Sequence, residues 1–231
     1  MAAIKDTGSS LNRYKSTLSA VFIWFNRHPD YKRLQYNNPV RQEHVSTFPE
    51  NPAKDRFLTE DEQRLLLQAA RGGRWERMYM LVLMALTTGC RKGELLNLTW
   101  ADIEFKQRTA YLGKTKTGRP RYVPLTPPVI EELIKFRGIP EFKVFHSTVS
   151  KTTPRCIKQD WSSKLERAEI GHLRFHDLRH SAASNLVRVG RFLFEVATLL
   201  GHTTTTMTAR YSHLAIDDPR AMVDAVMGQL R

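Results

Sequence analysis

The spacing of apolar residues predicts a helix near the start of the chain. Over residues 11–27, large apolar side chains recur at roughly helical spacing, with basic residues between them. The apolar positions are Leu11, Leu18, Val21, Phe22 and Phe25, and the basic ones are Arg13, Lys15 and Arg27. This pattern is typical of an amphipathic basic helix. Four prolines then exclude a long helix over residues 28–55, so we predict a domain boundary near residue 50.

The next apolar runs predict the core of a larger domain. Thr59 and Glu62 form a Thr-x-x-Glu capping box at the start of a helix that stops at a Gly-Gly pair. Residues 75–88 are strongly apolar and end at Gly89, which can adopt the left-handed conformation that closes a helix. We predict that this second helix is the buried centre of the domain. A further short helix, RKGELLNL, begins at Arg91.

Residues 109–125 change to a strand-like pattern. The runs TAYLG and RYVPL flank the turn sequence KTKTGRP, which predicts a β-hairpin. Its loop presents four cations, Lys114, Lys116, Arg119 and Arg121. Further helices are predicted over residues 128–136, 154–168, 176–189, 192–200, 204–211 and 218–231. The predicted fold class is therefore mainly α with a small antiparallel β-hairpin or sheet.

Charge narrows the possible partners. The 231 residues contain 36 Lys and Arg against 23 Asp and Glu, a formal net charge of +13. A balance this basic favours a polyanionic partner, and nucleic acid is the first candidate. A basic but inert surface is the alternative, because net charge reports on partners and not on fold.

Cysteine usage and apolar run lengths indicate the compartment. The two cysteines, Cys90 and Cys156, lie far apart and form no CxxC motif, which supports neither a disulfide framework nor a structural zinc site. The first ten residues lack the apolar core of a signal peptide, and no apolar run is long enough to span a bilayer. We expect a soluble, reduced, intracellular protein.

Several side chains have the chemistry that binds and attacks a phosphodiester. Arginine donates two hydrogen bonds from a planar fork and keeps its charge, so Arg91 and Arg179 together could hold both non-bridging oxygens of one phosphate. His176 lies three residues before Arg179, on the same helical face. His202 precedes Tyr211 by nine residues. Either histidine could transfer a proton near neutral pH, and Tyr211 could attack the phosphorus.

Each of these residues also has an ordinary structural interpretation. A single arginine after a histidine is usually surface chemistry, and a single tyrosine is usually a packing residue. The lysine-rich hairpin loop is more often a solvated turn. His172, His176 and His180 recur at every fourth position and suggest a metal site, but no cysteine or carboxylate cluster completes a ligand set, although Asp177 lies close. We therefore assign no metal ligands.

Four motifs, taken together, resemble one family. The strings TTGCRKGELLNLTWADI, KTKTGRPRYVPL, HDLRHSAAS and LLGHTTTTMTARYSH occur in the order and rough spacing of the tyrosine recombinase (phage integrase) family, over about residues 55–215. The resemblance implies the fold of a tyrosine recombinase catalytic domain. It implies that Arg91 and Arg179 grip the scissile phosphate, that Glu94 orients this centre, and that His202 donates a hydrogen bond to the phosphate.

The resemblance also implies the groups that move protons and form the covalent bond. Lys116 corresponds to the hairpin lysine that protonates the departing 5′ hydroxyl, with Lys114 as the second candidate. His176 corresponds to a histidine with an acid–base role, and Tyr211 to the nucleophile. The implied reaction is a transesterification through a 3′-phosphotyrosyl bond, which splits one displacement into two and requires neither ATP nor a metal. We assign no cofactor.

The resemblance further implies three segments. Residues 1–50 resemble the last portion of a helical core-binding domain that contacts DNA, and residues 51–215 form the catalytic domain. Residues 216–231 form a terminal helix that either docks on a neighbouring protomer or packs on its own domain. Expected partners are double-stranded DNA, three further copies in a homotetramer, and accessory directionality factors, with no membrane contact.

Three functions remain in competition at this point. The favoured one is a site-specific DNA recombinase or integrase, bacterial or phage-encoded, that acts in the cytoplasm on the nucleoid. A type IB topoisomerase also forms a 3′-phosphotyrosine but relaxes DNA as a monomer. A catalytically idle DNA-binding protein would use the helices after Arg155 to read a groove. The substitution Tyr211→Phe separates the enzymes from the idle binder, because only the enzymes would lose strand transfer.

Overall fold

The computed structural model describes residues 7–41, 44–50, 56–113, 119–202, 206–209 and 211–212. The chain divides into two compact units, Met1–Lys54 and Asp55–Arg231. In the described residues, no helix is both long enough and apolar enough to cross a membrane.

The first unit is built on one long helix, α1 (Gly8–Arg27). Thr7 caps it, since the Thr7 hydroxyl accepts a hydrogen bond from the amide of Ser10, and this cap places the start three residues earlier than the apolar spacing predicts. The chain then folds back along α1 through side-chain amides. Asn26 exchanges two hydrogen bonds with the backbone of Tyr36, at 2.8 and 3.0 Å, and no long helix forms in the described part of residues 28–55, as the prolines predict.

The second unit is organised around a buried helix, α3 (Met78–Thr88). Nine of its eleven residues are buried, as its uninterrupted apolar sequence predicts. The helix begins at Met78, three residues later than predicted, but ends as predicted at Gly89, whose φ of 62° is left-handed. Helix α2 (Glu60–Arg71) packs against it, and both hydrogen bonds of the capping box of α2, between Thr59 and Glu62, are present. Helix α4 (Lys92–Asn97) follows α3 after a short turn.

A three-stranded antiparallel sheet follows, and it contains the predicted hairpin. Its strands are β1 (Ile103–Glu104), β2 (Thr109–Leu112) and β3 (Arg121–Pro124), in that order across the sheet. Strands β2 and β3 are the predicted hairpin, paired from Thr109 opposite Pro124 to Leu112 opposite Arg121. Strand β1 is only two residues long, too short to give an alternating pattern. Residues 114–118, which include Lys114 and Lys116, lie outside the described residues.

Five helices complete the described part of the second unit. They are α5 (Pro127–Lys135), α6 (Lys158–Arg167), α7 (Asp177–Arg188), α8 (Leu193–Leu200) and α9 (Thr206–Ala209). Helix α7 packs against both α3 and α8, and α9 packs against α8. Helix α6 begins four residues later than predicted because Pro154 pairs with His146 in an isolated β-bridge. The mainly α fold with a small antiparallel sheet is confirmed, whereas the predicted terminal helix of residues 216–231 lies outside the described residues.

Candidate active site

A buried carboxylate organises the positive side of the site. Glu94 stands in the first turn of α4 and is 6% exposed. Its Oε2 accepts a hydrogen bond from the Arg91 amide and its Oε1 accepts one from Arg91 Nη1, both at 2.9 Å. The short sequence separation predicts that these residues share a face, and the structure places them in an ion pair.

Arg121 is a second partner of the same carboxylate. Arg121 Nη1 donates to Glu94 Oε1 at 3.2 Å and Nη2 donates to Oε2 at 3.0 Å, while Nε donates to the Leu199 carbonyl at 3.3 Å. The hairpin pattern predicts Arg121 on the loop, among solvated cations. It is instead the first residue of β3, its side chain is 13% exposed, and it joins the sheet to α4 and to the end of α8.

These contacts keep the Glu94 carboxylate ionised. Burial alone would raise its pKa, but hydrogen bonds from Arg121 and from the Arg91 amide outweigh burial and lower the pKa. Glu94 therefore has a negative charge between two guanidinium groups, and it fixes the position of both.

Arg179 lies on α7 and is only 4% exposed. Its Nη1 donates to the carbonyl of Gly89 at 2.8 Å. Within the described residues, its buried Nη2 has no hydrogen-bond partner. Burial, followed by the repulsion of Arg91, lowers the pKa of Arg179 to about 10. The guanidinium therefore retains its proton at neutral pH in a place that an anion would stabilise.

His176 lies immediately before α7, one helical turn from Arg179. Burial lowers its pKa, and the neighbouring His180 and Arg179 lower it further, so His176 is mainly neutral at pH 7. The start of α7 is fixed by Asp177, a buried carboxylate that accepts hydrogen bonds from the Arg174 amide at 2.8 Å and from Arg174 Nη2 at 2.8 Å. His176 is therefore held at a defined helix start.

His202 is positioned by the end of α8. Gly201 closes α8 in the left-handed conformation, with φ of 66°, and the His202 amide donates to the Ala197 carbonyl at 3.0 Å. The His202 ring contacts Thr208 of α9, with 2.7 Å between His202 Nδ1 and Thr208 Oγ1. The arginine network reaches the same helix end, because Arg121 binds the carbonyl of Leu199.

Tyr211 is buried, with 1% exposure, in a small apolar cluster beside α7 and α8. The Tyr211 hydroxyl lies 2.6 Å from Nδ1 of His180. Phe57 packs edge-on against both rings, with centroid distances of 6.1 Å to Tyr211 and 6.5 Å to His180. The His180 ring is also perpendicular to that of His176, at 5.3 Å between centroids.

The structure thus brings most of the candidate residues near one end of α7. Arg91, Glu94, Arg121 and Arg179 act on one another electrostatically, and His176, His180 and Tyr211 are linked by ring contacts and a hydrogen bond. Lys116 and Lys114 lie outside the described residues. Among the residues that the structure describes, no group of three or more His, Cys, Asp or Glu side chains is placed to hold a metal ion.

Sequence reasoning missed two residues of this arrangement. Arg121 looked like one of four loop cations, and His180 was considered only as a metal ligand. The available signal for His180 was its place directly after Arg179 and four residues after His176, which puts it on the face of α7 that presents His176.

The chain is similar to known recombinases and integrases. It is 33% identical over 213 residues to the shufflon-specific DNA recombinase of Escherichia coli, an alignment that covers 90% of this chain and 52% of that protein. The chain therefore spans about half the length of that curated relative.

Solved structures share the fold. The catalytic domain of bacteriophage HP1 integrase matches with a TM-score of 0.61 and 27% identity, covering 73% of this chain and 93% of that one. The Tn1549 transposon integrase, solved in complex with a circular intermediate DNA, matches with a TM-score of 0.73 and 19% identity, covering 96% of this chain and 80% of that one. The sequence profile of the Phage integrase family matches residues 56–217, and the chain belongs to this family.

Proposed function

We propose that the protein is a site-specific DNA recombinase or integrase that cleaves and rejoins double-stranded DNA through a 3′-phosphotyrosyl intermediate. One observation carries the proposal. Arg179, a buried guanidinium whose Nη2 has no hydrogen-bond partner among the described residues, is followed directly in α7 by His180, which contacts the Tyr211 hydroxyl. Two consecutive residues of α7 therefore serve the reaction. Arg179 provides a positive charge for an anion, and His180 contacts the candidate nucleophile.

The net charge of the protein favours DNA as the anion. A net charge of +13 favours a polyanion, and charge of this size makes binding strongly dependent on salt. The E. coli relative is a DNA recombinase, and the Tn1549 integrase was solved with DNA. These likenesses support double-stranded DNA as the substrate.

The positive cluster would bind the scissile phosphate. Arg91 and Arg179 would each direct a guanidinium fork at its non-bridging oxygens, and His202 would donate a further hydrogen bond. Glu94 would hold Arg91 in place. The three arginines around Glu94, Arg121 included, leave a net positive charge of about two before the histidines are counted, which one phosphodiester partly neutralises.

The covalent step would exchange one phosphoester bond for another. The Tyr211 oxygen would form a bond to phosphorus while the bond from phosphorus to the 5′ oxygen breaks. Lys116 would protonate that leaving oxygen, with Lys114 as the alternative donor, and His176 would have an acid–base role. Attack by the 5′ hydroxyl of another strand would reverse the step, so the exchange consumes no external energy source.

The remaining expectations belong to the same proposal. Residues 1–50 would contact DNA as part of a core-binding domain. Residues 216–231 would dock on a neighbouring protomer in a homotetramer, with accessory factors setting direction, in the bacterial cytoplasm at the nucleoid. Replacing the tail residues Met222, Val223 and Val226 with Ser should weaken assembly on DNA in sedimentation without lowering the melting temperature; an unchanged assembly would contradict docking.

The decisive experiment is a search for a covalent adduct that resists denaturing detergent. DNA fragments from both sides of the gene's own locus are incubated with wild type, Tyr211→Phe and, as a matched control, Tyr122→Phe, which alters a 69% exposed tyrosine of the sheet. We expect adducts with wild type and Tyr122→Phe, and DNA binding without adducts for Tyr211→Phe.

The products separate the competing functions. Strands exchanged between two duplexes support a recombinase, whereas relaxation of supercoiled DNA without exchange supports a type IB topoisomerase. Salt-sensitive binding with no adduct from any fragment would favour the idle DNA-binding protein and contradict the proposal.

A further inference from the structure

We propose that His180 is the catalytic base that accepts the proton of the Tyr211 hydroxyl during attack. This inference rests on the proposed function, because it concerns the same transesterification. The resemblance to the family gives an acid–base role to His176. The geometry of this chain points to the residue one turn further along α7 as the group that deprotonates the nucleophile.

The contact is direct and enclosed. The Tyr211 oxygen and His180 Nδ1 are 2.6 Å apart, which is a short and strong hydrogen-bond distance. Tyr211 is 1% exposed and His180 is 9% exposed, and Phe57 covers an edge of both rings. A hydroxyl enclosed in this way has little access to bulk water, so a side chain must take its proton.

The proposal requires one direction of this hydrogen bond. A phenol can donate its O–H hydrogen, and a neutral imidazole can accept at one ring nitrogen. We take Tyr211 as the donor and His180 Nδ1 as the acceptor, which places the proton of the His180 ring on Nε2. The short contact then serves as the path along which the proton moves.

The surroundings favour His180 as the acceptor. Among the described residues, His180 also contacts the ring of His176, whose pKa is lowered by burial and which is therefore mainly neutral. A neutral neighbour adds no positive charge to oppose protonation of His180. The adjacent Arg179 would be compensated by the bound phosphate at the moment when the proton is transferred.

The step balances as follows. The O–H bond of Tyr211 breaks and its proton passes to His180 Nδ1, while the Tyr211 oxygen bonds to phosphorus. The bond from phosphorus to the 5′ oxygen breaks, and Lys116 gives that oxygen a proton. In the reverse direction, an incoming 5′ hydroxyl releases its proton to the lysine, and His180 returns its proton to the departing tyrosine.

The first test uses the DNA-free protein and needs no activity. Histidine nitrogens are labelled with ¹⁵N, and the His180 signals are assigned by comparison with His180→Asn. We expect His180 Nδ1 to resonate as an unprotonated hydrogen-bond acceptor, and to shift in Tyr211→Phe. A protonated Nδ1 in wild type would overturn the proposal, because His180 would then be donating to the tyrosine.

The second test measures single-turnover cleavage with two leaving groups. One substrate has the natural 5′ oxygen, and the other has a sulfur there, which departs without being protonated. His180→Asn keeps an oxygen near the position of Nδ1 that can accept the hydrogen bond but cannot take the proton. We expect its cleavage rate to fall roughly 10²- to 10⁴-fold on both substrates. Lys116→Ala should be slow on oxygen and recover on sulfur.

The outcomes are distinct. A His180→Asn rate within about threefold of wild type would reduce His180 to a positioning residue and overturn the proposal. Recovery of His180→Asn on the sulfur substrate would also overturn it, because the residue would then act on the leaving group. Should wild type form no adduct on either substrate, the proposed function fails, and the DNA-free nitrogen spectrum still decides where the proton lies.

Discussion

The two sides of the candidate site differ in the charge of their side chains. On one side, Arg91 and Arg121 share the buried carboxylate of Glu94, and Arg179 adds a third guanidinium whose Nη2 has no hydrogen-bond partner in the part of the chain that the structure describes. On the other side, Tyr211 and His180 form a hydrogen bond between groups that we infer to be neutral, beside a histidine whose burial lowers its pKa.

This difference assigns a separate task to each side. Fixed charges paired with a buried carboxylate change little when an anion arrives, which is what transition-state stabilisation requires. Neutral groups in hydrogen-bond contact can transfer a proton with little charge separation beforehand. Under the proposed function, anion binding and proton transfer would therefore depend on different residues, and each side can be altered separately.

Removing the carboxylate should have the largest effect on stability. Glu94→Ala leaves Arg91 and Arg121 beside Arg179 without a counter-charge, and we expect the free energy of unfolding to fall by about 3 kcal/mol. Urea unfolding measures it. Arg64→Gln is the control, because Arg64 and Asp61 form an ion pair on the surface with side chains 77% and 79% exposed. That variant should lie within about 1 kcal/mol of wild type, and an equal loss in both would contradict a special role for Glu94.

Removing Arg179 should separate activity from stability. Arg179→Met deletes the proposed phosphate-binding fork and should slow adduct formation roughly 10²- to 10³-fold, equivalent to about 3–4 kcal/mol of transition-state stabilisation. The free energy of unfolding should not fall by more than about 1 kcal/mol, because the substitution also removes a buried charge that Arg91 and Arg121 repel. Single-turnover cleavage and urea unfolding on one preparation test both parts. A large loss of stability would mean that Arg179 is mainly structural.

Arg121→Lys should give a smaller effect on the same side. Lysine retains the positive charge but cannot make two parallel hydrogen bonds to Glu94 while a third group binds the Leu199 carbonyl. We expect a loss of about 1–2 kcal/mol in the free energy of unfolding. Urea unfolding tests it against Arg119→Lys, which replaces a neighbouring cation of the hairpin.

Lowering the pH should reduce the stability of the protein through His176, and this is the smallest of the four expected effects. Burial lowers the pKa of His176 below its ordinary value of 6.5, so the unfolded chain binds a proton more readily than the folded one. The free energy of unfolding should therefore fall as the pH drops through the region near 6.5 and below. In His176→Gln this contribution is absent, and the difference in unfolding free energy between pH 7.5 and 5.5 should be smaller than in wild type. Identical differences would show that His176 is as easily protonated in the folded protein as in the unfolded chain.

Patterns among neighbouring residues predict the helices and strands, but they do not predict the contacts that join these elements. The capping box at Thr59 and the helix-closing Gly89 depend on neighbouring residues, and the structure confirms both. The Arg91 to Glu94 contact spans one turn and follows from helix geometry.

The long-range contacts of the site required the fold. Arg121 meets Glu94 across 27 residues, and His180 meets Tyr211 across 31. No local pattern marks either pair, because their partners are set by how the sheet and α8 pack around α4 and α7. The motif resemblance supplied Tyr211 and Arg179 as candidates, but it gave no indication of which side chain holds the tyrosine hydroxyl.

The surroundings of Gly201 restrict which residues can replace it. Its backbone has a left-handed φ of 66°, and a Cβ built there would lie 2.9 Å from both Cζ and Nη1 of Arg121. That guanidinium is held in place by Glu94 and the Leu199 carbonyl, so it has little freedom to move aside. Asparagine, which tolerates left-handed backbone, would still collide with the arginine, and a smaller residue at position 121 would still leave the backbone strained. Divergence at position 201 therefore requires two coordinated substitutions, and we expect glycine there and arginine at 121 to be inherited as a pair.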